Sequence, residues 1–104
     1  MKRITRKNLE NLVGHLNKVT GHKTEAYSAE FTHSRLTANI GTYVISGAYG
    51  GWALHQMDNE SGGERDVLST GHIPARELFN LIHAYWRGME VGGLYDKKTT
   101  KETN

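Results

Sequence analysis

Cysteine is absent from the 104 residues. Disulfides, thiolate nucleophiles and cysteine-ligated zinc are therefore excluded. Small secreted domains usually need disulfide staples, so a reducing interior is expected. Long apolar runs are also missing. No stretch of roughly 18 apolar residues occurs, so no spanning helix and no membrane partner are expected. The leading segment MKRITRKNLENL is charged and then amphipathic, with no continuous apolar core, so it does not read as a secretory signal. What is present is an ordinary globular composition, 37% apolar and 23% charged, which excludes a disordered or collagenous chain. The length is that of one domain.

The net charge of +2 is unevenly spread. Residues 1–24 carry Lys2, Arg3, Arg6, Lys7, Lys18 and Lys23 against Glu10 alone, a local +5. Residues 25–92 sum to −4 and residues 93–104 to +1. A basic leading segment on an acidic body suits either a polyanion contact or a solvated helix face.

Leu9, Leu12, Val13, Leu16 and Val19 recur at spacings of three and four, which predicts a helix over 6–20. Thr5 is its expected N-cap and Gly21 its terminator. Gly14 inside it costs roughly 1 kcal/mol relative to Ala. Tyr27, Ala29 and Phe31 alternate with Ser28, Glu30 and Thr32, a half-buried strand; the polar stretch 33–41 reads as a loop or a weak strand extension. In 42–57, two β-rich runs flank Gly50 and Gly51, a hairpin signal. With those glycines as the loop, Tyr49 opposes Trp52, Gly47 opposes Leu54, Ile45 opposes Gln56, and Ser46 opposes His55. One face then carries Tyr43, Ile45, Tyr49, Trp52 and Leu54. Val44, Ser46, Ala48, Ala53, His55 and Met57 lie on the other. DNESGG is a turn, and 64–69 reads as a further strand. Pro74, the single proline, suits the first turn of a last helix with Leu78, Leu81, Ile82, Tyr85 and Met89 as its stripe. Gly92 and Gly93 end that helix. The expected fold is α+β: a helix, a three- to four-stranded antiparallel sheet and a second helix, both helices on one sheet face. Residues 1–92 form a single domain and 93–104 a flexible polar tail. The second sheet face is left partly open and semi-apolar, compatible with a homodimer.

Six histidines are scattered over the chain without paired-ligand spacing, so no metal and no cofactor are expected. Ser46 and His55 can approach across the hairpin, but no third orienting group and no G-x-S-x-G elbow accompany them, so the chain does not read as an enzyme. Gly47, Gly50 and Gly51 precede a strand, not a helix, and read as turn chemistry rather than a phosphate loop. Two binding surfaces are candidates. Tyr49, Trp52, His55 and Trp86 are candidates for contact with a protein partner, since Tyr and Trp anchor interfaces. Arg3, Arg6, Lys7 and Arg76 are candidates for nucleic acid, because a phosphate offsets cations crowded at a helix N-terminus. The element order is similar to that of double-stranded-RNA-binding domains, although their lysine-rich last-helix start is replaced by Arg76 alone.

From Gly41 to Leu54, in G-x-Y-x-x-x-x-A-Y-G-G-W-x-L, and through 62–89, the chain resembles small uncharacterised proteins of tailed bacteriophages. These pair an A-Y-G-G hairpin with a later amphipathic helix. The resemblance implies a viral accessory protein in the host cytoplasm that binds and modulates a host or phage macromolecule, a defence system among the targets. It transfers no catalytic residue.

Overall fold

A computed structural model describes residues 3–30 and 35–92. Phe31, Thr32 and the tail expected at 93–104 lie outside the described residues. The first helix, α1, spans Arg6–Thr20. Thr5 closes a reciprocal capping box: its hydroxyl accepts from the Asn8 amide at 3.2 Å, and Asn8 Oδ1 accepts from the Thr5 amide at 2.9 Å. Gly21 ends the helix with φ +82°, in the left-handed region.

Strands β1 (Tyr27–Glu30) and β2 (Arg35–Ala38) form an antiparallel two-stranded sheet. Strands β3 (Tyr43–Ala48), β4 (Gly51–Met57) and β5 (Glu64–Asp66) form a second antiparallel sheet in that order. Helix α2 spans Ala75–Gly92. The α+β class and the helix–sheet–helix order agree with the expectation. The weak extension proves to be a paired strand, so five strands divide into two sheets. Asn39 seals the base of the small one, its backbone N–H donating to Ala26 O and its side chain to Glu25 O, both at 2.8 Å.

The hairpin register is shifted from the expectation. Tyr49 and Gly50, at φ +54° and +75°, form the two-residue loop, and Ile45 pairs with Leu54. Ser46 therefore opposes Ala53 and Gly47 opposes Trp52. Two positive φ values match the right-handed twist of the flanking strands. Gly51 belongs to the strand for a steric reason: a Cβ there would lie 2.9 Å from the His72 carbonyl carbon. That close approach lets Trp52 exchange two backbone hydrogen bonds with Ile73, at 2.8 and 2.9 Å. The shift is an even number of residues, so the faces survive. Tyr49 alone leaves its predicted face.

Helix α1 packs chiefly on β3, and α2 on β4 and on α1. Leu9, Leu12, Val13 and Leu16 meet Tyr43, Leu54, Leu78 and Ile82 in the core. Val19, predicted on the apolar stripe, is exposed, and Asn17 is buried instead. Its side chain acts as a strand neighbour for β3. Nδ2 donates to Tyr43 O at 2.9 Å, and Oδ1 accepts from Tyr43 N–H at 2.7 Å. The Tyr43 hydroxyl bonds that of Tyr85 at 2.9 Å.

Asn17→Ala strands a buried N–H and C=O, so stability should fall by about 2–4 kcal/mol, read as a lower urea midpoint at unchanged slope. Burial first, then the Tyr85 hydrogen bond, raises the Tyr43 pKa well above its ordinary value. The folded state thus holds a proton that the unfolded chain releases near pH 10. Stability should be flat with respect to this group at neutral pH and decline above about pH 10, a decline that Tyr43→Phe should reduce in pH-dependent urea titrations.

Candidate functional site

Helices α1 and α2 begin at the same end of the sheet. Ile73 pairs with Trp52 on β4, and Pro74 then turns the chain into α2, its carbonyl accepting from Leu78 N–H at 3.0 Å. Pro74 thus occupies the N-cap position, one residue before the expected first turn. Beside it, Ile4 precedes the Thr5 cap and packs on the cluster that contains Leu9, as in a hydrophobic staple. That contact fixes the entry path of the chain and so the place of Arg3. The result is an open groove of about 820 Å³ lined by Arg3, Thr5, Arg6, Trp52, Pro74 and Arg76, among others. Among the described residues no carboxylate lines it.

Arg3 and Arg6 are some 70 residues distant from Arg76 in sequence, yet all three residues line one groove. The Arg6 guanidinium carbon lies 5.4 Å from the centroid of the Trp52 ring, a cation–π contact, and its Nε reaches Glu10 Oε2 at 2.9 Å. The indole also lies against Gly47, where a Cβ would sit 2.6 Å from a ring carbon. Trp52 therefore props Arg6, and part of its ring is taken up by that contact and by Gly47. A proline at the N-cap also brings no side-chain acceptor to the first-turn amides of α2. Lys7, expected with the arginines, is on α1 but does not line the groove.

The aromatic candidates are separated. Tyr49 is 98% exposed at the hairpin tip, with its ring 5.9 Å from that of His72. Trp52 is on the helix-covered face. Trp86 lies on α2, stacked between His15 and His83 with centroids 6.5 Å from each. His55 is on the other sheet face, where Nδ1 meets Glu64 Oε1 at 2.8 Å. On that face Ala53 and Met57 are buried, while Val44, Ser46, Ala48 and His55 are half-buried, so it is only partly open. Ser46 bonds His72 Nε2 at 3.0 Å, rather than His55. The two pairs lie side by side, rings 6.0 Å apart, and no single imidazole links the serine to the carboxylate. Among the described residues no three His, Asp or Glu side chains gather as a metal site. None of the described helices is long and apolar enough to cross a membrane.

Sequence reading missed His72 and the role of Pro74. The one signal for the groove was an arginine at the start of each helix, and it becomes meaningful only once the helices are known to start together. Comparison with protein-family models, curated proteins and solved structures gives no match for the chain.

Asparagine tolerates a left-handed loop position better than tyrosine. Tyr49→Asn should therefore raise stability by up to about 1 kcal/mol in thermal or urea unfolding.

Proposed function

We propose that this is a small non-enzymatic accessory protein that binds nucleic acid through its sugar–phosphate backbone. The setting is the one its resemblance implies, a tailed bacteriophage acting in the host cytoplasm. The observation that carries the reading is the convergence of Arg3, Arg6 and Arg76 on one groove with no carboxylate in its lining. Guanidinium groups match phosphate oxygens in a fork geometry, and the α2 N-terminus adds partial positive charge from the same side. The Trp52 ring already contacts Arg6 and Gly47, and base stacking is not assigned to it in this reading. Binding then tracks backbone charge and carries little sequence preference.

A second reading, docking of a host or phage protein, is favoured by Tyr49. A nearly fully exposed tyrosine in a left-handed loop position serves the fold poorly, and such strain is kept most often where a side chain is used.

The discriminating experiment is fluorescence anisotropy with labelled single- and double-stranded oligonucleotides over a salt series. Three phosphate contacts predict a slope of log K against log salt of roughly −2 to −3. Arg3→Ala/Arg6→Ala/Arg76→Ala should weaken binding at least tenfold with the melting temperature retained, whereas Arg87→Ala should not. Salt-insensitive binding, or a triple variant that binds like the parent, rejects the nucleic-acid reading. Loss of a nuclease-resistant protein partner on Tyr49→Asn supports the second.

A further inference from the structure

We infer that the outer edge of β3 is a docking site for an extended peptide segment of a partner protein, added as a further strand. The proposal is independent of the arginine groove. In the sheet order β3-β4-β5, β3 has β4 on one side only. Thr42 O accepts from Met57 N–H, and Tyr43 N–H turns the other way, to Asn17. Alternation then aims the backbone groups of Ile45 and Gly47 outward. Tyr43 is satisfied by Asn17; among the described residues nothing bonds the outward groups of Ile45 and Gly47. Natural sheets blunt such edges with charges, proline or bulges. The segment YVISGA contains none of these, whereas the opposite edge strand is ERD.

The floor of the site is α1. A cleft of about 300 Å³ lies between that helix and the strand edge, lined by Glu10, Val13, Gly14, Asn17, Tyr43 and Ile45 among others. Gly14 weakens the helix, and a Cβ added there would meet nothing within 4 Å. Its missing side chain therefore relieves no contact inside the described chain. It does keep clear the space over which a strand hydrogen-bonded to Ile45 and Gly47 would run, about 4.8 Å beyond β3. The same geometry selects the occupant. Helix α1 packs chiefly on the edge strand and α2 on β4, so α1 extends toward or past the edge. A second copy pairing its own β3 here would drive its α1 into this one. A peptide strand brings no helix. Its inward side chains meet Val13, Gly14 and Ile45 in the cleft that Glu10 also lines, which calls for a segment without acidic residues and with small or branched apolar residues at alternate positions.

The test is selection of dodecapeptides from a random displayed library on the immobilised full chain, followed by NMR titration of the chain with a selected peptide. Alternating apolar sequences that shift the Ile45, Gly47 and Gly14 amides support the proposal. Gly14→Leu should weaken them at least tenfold while melting at or above the parent temperature. The proposal is overturned if no peptide is selected, if the shifts map elsewhere, or if Gly14→Leu binds as well as the parent. Slow hydrogen exchange at Ile45 and Gly47 in the peptide-free chain also overturns it, because a second copy or another part of the chain then already covers the edge.

Discussion

One side chain decides where the first helix sits. Asn17 is buried, and its amide supplies both the donor and the acceptor that a neighbouring strand would offer Tyr43. A buried amide that lost either bond would cost about 1–3 kcal/mol, so helix and strand are held in one relative position. Leu16 and Val13, on the same side of the helix, then fall into the core beside Tyr43 and Leu54. The Asn17 carbonyl also accepts from the His22 amide at 2.8 Å, which starts the turn toward β1. Hydrophobic burial drives the association, but it is indifferent to sliding by a fraction of a turn. The two directed bonds remove that freedom.

Two glycines perform the corresponding task at the other end of the sheet. Gly47 admits the Trp52 indole across the strand pair, and Gly51 admits the backbone of His72 and Ile73. An aromatic ring laid over a cross-strand glycine restores the packing that the glycine gives up. Together they place Ile73, and therefore Pro74 and the start of α2, beside the start of α1. The arginine groove follows from this backbone arrangement.

Much of the fold was legible because it is written in local periodicity. The limits of α1, its Thr5 cap, its Gly21 terminator, the two faces of the hairpin and the α2 stripe apart from Leu81, which is exposed while Phe79 and Trp86 pack on the core, follow from spacing and cap chemistry. The loop register was not, because three consecutive residues, Tyr49 to Gly51, contain two glycines. The choice between them depends on the distant His72 backbone. Strand β2 was blurred because it is only four residues long and its order comes from pairing with β1 and from Asn39. The site was legible only as separate residues. Arg3, Arg6 and Arg76 could be named, but their meeting is a property of helix direction. Trp52 was read as a tip aromatic because the predicted register placed it opposite Tyr49. Asn17 looked like a polar residue beside an apolar stripe, and nothing local distinguishes it from its exposed neighbour Lys18.

The placement of α1 under the sheet edge links the groove and the strand edge. Its N-terminal turn brings Arg3 and Arg6 next to α2, and its middle turn, at Gly14, leaves β3 uncovered. The mid-helix glycine weakens the isolated protein, and the cations at the start of α1 oppose its dipole, although Arg6 also gains from Glu10 and Trp52. Cations at a helix N-terminus oppose the dipole by a few tenths of a kcal/mol each, and a mid-helix glycine costs roughly 1 kcal/mol. A domain of this size has little stability to spare. Neither feature is required by the core, since Leu9, Leu12, Val13 and Leu16 would pack equally well with alanine at 14 and neutral residues at 3 and 6. An anion bound in the groove would reverse the dipole penalty, and a strand added at the edge would cover the open backbone groups of Ile45 and Gly47.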